Sequence, residues 1–224
     1  ISPLKKIDDR TGEIIIPNKY NPKKFTIKKD WAIHGWVDMK KAIAESCNVY
    51  FYTIGGGYKD QIGLGPSRLK KYLELFGWAS KTGIDLPGES KGLIPSPEWK
   101  KKVKGSHWWD GDTYNLAIGQ GDILITPIQV VTAFAAIANG GTLYRPEVVK
   151  QIINSEKEII KKIKPKIIRN NFIDPENLQV VREGMRQAVT GKNSPLASSV
   201  LLNSLPVAAA AKTGTAETPW PGHY

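Results

Sequence analysis

A chain of 224 residues, 41% hydrophobic and 24% charged, holds enough apolar material for one folded domain. Its 32 Lys and Arg against 21 Asp and Glu leave a net charge of +11, which suits an anionic cell wall or membrane surface. Nucleic-acid recognition modules are excluded by the lack of a paired Cys/His finger or an aromatic RNA-binding motif, an internal disulfide by the single cysteine, Cys47, and a spanning helix by the lack of a run of about 18 apolar residues.

The start, Ile1-Ser2-Pro3, does not have the build of a signal peptide. Residues 1–30 are polar with isolated Ile and Pro, and Asp9-Arg10-Thr11-Gly12 reads as a turn between extended pieces. Ala42, Ile43, Val49 and Tyr50 lie near helical spacing, which predicts one helix over 38–55, ended by Gly55-Gly56-Gly57. A second helix is predicted from Pro66 to Phe76, ended by Gly77. Residues 82–125, rich in Gly, Pro and Trp, read mostly as loop. Thr126 and Pro127 open a helix to Ala138 that is apolar nearly all round and is therefore expected to be buried. The β-branched runs within 142–169, with Asn154-Ser155 between them, predict a hairpin or a pair of small strands. Asp174-Pro175 starts a helix to about Val189 with Leu178, Val181 and Met185 inward. The apolar run Leu205 to Ala211 then enters Lys212-Thr213-Gly214-Thr215, read as an edge strand. No internal repeat is visible.

Two short motifs carry chemistry. In Ser46-Cys47-Asn48 the outer side chains point alike if the backbone is extended, so a hydroxyl that relays a proton lies beside an amide that holds a peptide group. Lys212-Thr213-Gly214 offers an ammonium and a hydroxyl to a carboxylate, and its glycine leaves room for substrate against the backbone. Serine acyltransferases of the serine-lysine type divide their work among Ser-x-x-Lys, Ser-x-Asn and Lys-Thr-Gly. Each motif alone is common: Lys81-Thr82-Gly83 is a second match, read as a turn because Ile84-Asp85-Leu86-Pro87-Gly88-Glu89 follows.

Order makes the pattern specific. Ala44-Glu45-Ser46-Cys47-Asn48-Val49-Tyr50-Phe51-Tyr52, Thr82 to Glu89, Gly111 to Gly121 with Thr126-Pro127-Ile128-Gln129, and Lys212-Thr213-Gly214-Thr215-Ala216 follow one another as landmarks do in class B penicillin-binding proteins. Asp30-Trp31 and His34-Gly35 resemble the elongation branch of that family. The resemblance covers nearly the whole chain. It implies an α/β fold of the β-lactamase/transpeptidase type, mostly the helical subdomain plus the Lys-Thr-Gly strand, with residues 1–224 one transpeptidase domain incomplete at both ends.

The implied activity is D,D-transpeptidation of peptidoglycan stem peptides through a serine acyl-enzyme, with β-lactams as covalent inhibitors and no cofactor needed for catalysis. Carried over, Ser46 is the proton shuttle and Asn48 the amide holder. Lys212 supplies positive potential, and Thr213, Gly214 and Thr215 bind the substrate, the Thr215 N–H being one oxyanion donor. The family also implies the outer face of the bacterial inner membrane, an anchor upstream and a membrane glycan polymerase as partner. Two other readings are a serine β-lactamase or β-lactam sensor of the same fold, and a non-catalytic basic cell-wall scaffold.

Neither Ser2-Pro3-Leu4-Lys5 nor Ser67-Arg68-Leu69-Lys70 suits the family's nucleophile, the first because no helix follows and the second because it lies after Ser46, so the nucleophile is expected just before residue 1. Some elongation-type relatives hold a zinc, and the resemblance places it on Asp8, Asp30, His34 and Cys47, with Asp9 or Glu13 as substitutes for Asp8. A buried thiol and a surface histidine are the plain alternative. His107 and His223 have no ligand spacing. Trp99, Trp108 and Trp109 read as loop packing, with a sugar-binding groove as the other option.

Overall fold

Where the apolar spacing predicts one helix, the chain forms two. In this computed structural model, which describes residues 2–18, 21 and 23–215, α1 (Met39–Glu45) is capped by Asp38, whose side chain accepts from the Lys41 N–H. It stops because Ser46 turns left-handed, at φ 55° and ψ 42°. Cys47 then caps α2 (Asn48–Gly56), its sulfur accepting from the Tyr50 N–H at 3.4 Å. The apolar positions continue through the break, so hydrophobic spacing alone does not reveal it.

The chain divides into two compact units, one of residues 1–69, 97–121 and 179–224, the other of 70–96 and 122–178. In the first, β1 (Ile7–Asp9) pairs antiparallel with β4 (Gly35–Val37), and β2 (Glu13–Pro17) with β3 (Phe25–Lys29). Ile7, Ile14, Val37 and Val49 form a core with Tyr50 and Tyr114. Two helices also form where loop was expected: α4 (Pro97–Lys104) and α5 (Asp110–Ala117). Both are only eight residues long, and they are held less by periodicity than by one acid. Asp112 accepts from the Trp109 N–H at 2.7 Å and from the Lys100 ammonium at 2.6 Å.

Helices α2 and α5 meet through the glycines. A Cβ on Gly55 would lie 2.3 Å from the Ala117 Cβ, and one on Gly56 would lie 2.3 Å from the Tyr114 ring. The Tyr114 hydroxyl donates to the Gly57 carbonyl at 2.6 Å. Helix α7 (Pro175–Thr190) packs Gly184 against Ile43 of α1. From α7, Arg186 donates to the Ala209 carbonyl at 2.6 Å and the Met185 carbonyl accepts from the Ala211 N–H at 3.0 Å. These contacts carry the segment before Lys212. Residues 208–215 have no strand partner among the described residues, so the expected edge strand is not formed here. Ala216 to Thr218 and His223 lie outside the described residues.

In the second unit, α6 (Pro127–Ala138) starts as expected, with Thr126 and Gln129 capping each other. Its all-round burial is not observed: Gln129, Thr132, Ala133 and Ala136 are buried, while Val131 is 61% exposed. The buried stripe contains small and polar side chains because Gln129 also donates to the Ser80 and Lys91 carbonyls. The expected hairpin is β6 (Gln151–Ile153) with β7 (Ile159–Lys162), while β5 (Leu143–Tyr144) pairs with β8 (Ile167–Arg169). Lys81-Thr82-Gly83 is a turn, its Thr82 and Gly83 N–H groups donating to Glu89. α3 (Gly65–Leu75) follows the predicted second helix within a residue.

The glycine contacts predict opposite outcomes for two substitutions. Gly55→Ala gains helix propensity but overpacks the α2–α5 contact, and is expected to cost about 1–3 kcal/mol. Gly111→Ala meets open space in α5 and is expected to stabilise by about 0.5 kcal/mol. Urea midpoints check both; equal midpoints for the two variants would contradict the packing.

Candidate functional site

The turn that splits α1 from α2 sorts three adjacent side chains. Cys47 is fully buried, while Ser46 and Asn48 on either side are only half-buried. A serine in left-handed conformation is strained, and the surroundings hold it. The Trp31 indole donates to the Glu45 and Ser46 carbonyls at 3.1 and 3.2 Å. Asp30 accepts from the Val49 N–H at 2.8 Å on the far side of the turn. Ser46 is thus clamped from both sides by neighbouring residues of one loop.

Lys212 comes to this turn from 166 residues away, and its ammonium donates to the Ser46 hydroxyl at 2.7 Å and to the Thr213 carbonyl at 2.9 Å. Burial lowers the Lys212 pKa. The Gln120 amide donates to the Thr215 carbonyl at 3.4 Å, so the Gly119-Gln120-Gly121 turn borders the same segment. Thr213, Gly214 and Thr215 are exposed beside it. The other Ser-x-x-Lys matches take no part: Lys70 pairs with Glu74 at 3.7 Å, and the Ser2 hydroxyl accepts from the Leu4 N–H.

Beneath the turn lies a cluster of four ligand groups. One atom each from Asp9, Asp30, His34 and Cys47 lies within 4.8 Å of all the others. The expected ligand Asp8 is not among them. Strand β1 alternates, so Ile7 and Asp9 point inward and Asp8 outward, where Arg10 donates to both its oxygens at 2.8 and 2.9 Å. That contact lowers the Asp8 pKa to about 2. Asp9, weighed as a substitute, is fully buried and takes the place; Glu13 sits on β2 opposite Lys29. The alternation set by Ile7 is the sequence signal that favours Asp9.

The cluster is electrostatically incomplete. Asp9 and Asp30 are two carboxylates with no exposed side-chain surface between them and His34. Burial raises the Asp9 pKa, and burial followed by the neighbouring carboxylates raises that of Cys47. Burial opposes the charged form of His34, but Asp30 and Glu45 outweigh it and raise its pKa. The Asp9 Oδ1 and His34 Nε2 atoms are buried without a hydrogen-bond partner, Nε2 lying 3.5 Å from Asp30 Oδ1. A thiol, an imidazole and two carboxylates around such a gap are the donor set zinc takes. The residues fit the metal.

Sequence reasoning missed Glu45. It is 1% exposed at the last residue of α1, and its Oε2 lies 2.9 Å from His34 Nδ1. An acid buried at a helix end beside a histidine is a signal that only the fold reveals, since in sequence Glu45 and His34 are eleven residues apart. Trp31 was noted only as part of the resemblance.

Comparison with known proteins shows the family. Residues 9–223 match the family described as the penicillin-binding protein transpeptidase domain. The chain is 33% identical over 194 residues to the peptidoglycan D,D-transpeptidase MrdA of Salmonella typhimurium, covering 84% of this chain and 29% of that protein. Among solved structures, penicillin-binding protein PBP2 of Pseudomonas aeruginosa in complex with WCK 5153 superposes with a TM-score of 0.78 at 30% identity, over 97% of this chain and 46% of that one. PBP2 of Helicobacter pylori in complex with MreC superposes at 0.76 and 32% identity, over 97% of this chain and 36% of that one. The chain thus spans less than half the length of each of these relatives. With a match from residue 9 to residue 223, and with the Ser46–Lys212 contact in place, the chain belongs to the penicillin-binding protein transpeptidase family.

Proposed function

We propose that this chain forms the substrate-binding side of a D,D-transpeptidase that cross-links peptidoglycan stem peptides. The observation that carries the reading is the 2.7 Å contact between the Lys212 ammonium and the Ser46 hydroxyl. An ammonium donating to a hydroxyl stabilises its oxygen as the hydroxyl gives up its proton, which suits Ser46 to pass one on. Ser46 would pass the proton from the attacking hydroxyl to the leaving amine. Asn48, half-buried two residues on, would hold the substrate's peptide group. Thr213 and Thr215 would bind the terminal carboxylate, and the Thr215 N–H would be one oxyanion donor. The acylated serine belongs, in this reading, to a Ser-x-x-Lys other than those at Ser2 and Ser67.

Asp9, Asp30, His34 and Cys47 would hold a zinc ion, which neutralises the buried carboxylates and supplies no catalytic step. Asp30 accepts from the Val49 N–H, Cys47 lies within the Ser-x-Asn motif, and Trp31 holds the Ser46 carbonyl, so a fixed cluster fixes the turn. The MreC complex of the Helicobacter pylori relative supports an assembly role; a membrane glycan polymerase as partner and a place at the outer face of the inner membrane rest on the family resemblance. No described helix is long and apolar enough to cross a membrane.

Acylation of the full-length protein by a fluorescent penicillin tests the reading. A stable adduct is expected, whereas rapid release would indicate a hydrolase and no adduct would contradict both. Ser46→Ala is expected to slow acylation about 10²–10⁴-fold. Since burial lowers the Lys212 pKa, the ammonium is present below the lowered value and lost above it. The alkaline limb of acylation should therefore fall below the ordinary lysine value of 10.5. Metal analysis is expected to find zinc that Cys47→Ser and Asp9→Asn lose and Asp8→Asn keeps. Chelator competition is expected to show about 10–100-fold weaker zinc binding in Glu45→Gln, because Glu45 accepts the Nδ1 proton that leaves Nε2 to the metal. Zinc kept by Asp9→Asn and lost by Asp8→Asn would refute the ligand set.

A further inference from the structure

At the other end of α5 from Gln120, a groove of about 650 Å³ opens between the ends of β2 and β3 and the loop that leads into the helix. Its walls include Asn18 and Thr26 on the hairpin side and His107, Trp108, Trp109 and Asp110 on the loop side. The volume is in the range of sites that take small ligands.

The aromatic wall is built to stay in place. The Trp108 indole donates to the Thr113 hydroxyl at 2.8 Å, which fixes that ring. The Trp109 N–H donates to Asp112, which the buried Lys100 side chain anchors at 2.6 Å. Yet the Trp109 side chain itself is 56% exposed, and the His107 ring meets it edge-on with centroids 6.4 Å apart. A tryptophan whose backbone is anchored while its ring is left open loses little conformational freedom when a ligand covers it. Loop packing, the plain expectation for these residues, accounts for Trp108 and leaves Trp109 unexplained.

The chemistry of the walls selects the ligand class. Flat aromatic faces beside an amide, a hydroxyl and a carboxylate suit a ring with apolar C–H faces and polar edges, which is a sugar. Position points the same way. Helix α5, eight residues long, spans about 12 Å, the reach of about four extended residues. Its far end leads to Gln120, which touches the Thr215 carbonyl. A stem peptide that ends at Thr213 and Thr215 and runs along α5 would carry its sugar toward the groove.

We propose that this groove binds the glycan part of a peptidoglycan strand, with the Trp109 ring as the stacking platform and Asp110 and Thr26 at the sugar's polar edges. The proposal rests on the transpeptidase reading for the identity of the sugar, and it assigns to that substrate a second contact outside the peptide cleft. The groove would favour strand-borne stems over free peptides of the same sequence.

The test uses the full-length protein and a peptide-free tetrasaccharide of N-acetylglucosamine and N-acetylmuramic acid, followed by calorimetry. Saturable binding is expected for the wild type, about tenfold or more weaker for Trp109→Ala and largely restored in Trp109→Phe, which keeps a flat ring. No binding to the wild type overturns the proposal, and so does equal binding by Trp109→Ala. If a thermal melt shows that Trp109→Ala does not fold, Thr26→Ala and Asp110→Asn take its place; unchanged affinity in both overturns the proposal. Penicillin acylation, measured in parallel on the wild type, separates the two readings. Glycan binding without acylation sinks the transpeptidase assignment and keeps the groove; acylation without glycan binding does the reverse.

Discussion

A single ammonium on a single hydroxyl organises this molecule. Lys212 reaches Ser46 only because three separate stretches of chain agree. The α1–α2 break must turn the serine outward. Helix α7 must lie on α1 through Gly184 and Ile43, and must hold the segment before Lys212 through Arg186 and Met185. The loop with Asp30 and Trp31 must grip the turn from below. Remove any one and the two motifs remain in the sequence but no longer meet.

The turn carries a cost that its surroundings offset. A left-handed serine is disfavoured by roughly 1–2 kcal/mol, which the indole N–H shared between two carbonyls and the Asp30 contact are large enough to balance. Those contacts come from the loop that also supplies Asp30 and His34 to the buried cluster. Two buried carboxylates stay charged in a dry interior only beside a cation, either the protonated His34 or a metal bound in its proton's place. In the proposed scheme the metal at this site therefore does structural work at the catalytic turn, one residue away from chemistry it does not perform.

Much of this was legible beforehand, and the reasons differ by residue. The motif pair and its order pointed to the family because acyl transfer needs those groups. Helices with clear caps, such as the one opened by Thr126 and Pro127, were found within a residue. What was lost is what depends on distant partners. The α1–α2 break is set by Trp31 and Asp30, not by the helical sequence it interrupts. Helices α4 and α5 rely on the Lys100–Asp112 contact. Val131 stays exposed because Gln129 turns the buried stripe of α6 toward loop carbonyls. The substitution of Asp9 for Asp8 was the nearest miss: strand alternation from Ile7 decides it, but only once β1 is known to be a strand.

The most direct measurement is a crystal structure of the full-length protein after reaction with a penicillin. The account predicts the drug's carboxylate on the Thr213 and Thr215 hydroxyls, its side-chain amide on Asn48, and Lys212 still on Ser46. A covalent adduct whose carboxylate lies away from Thr213 and Thr215, or with Lys212 turned away from Ser46, would contradict it.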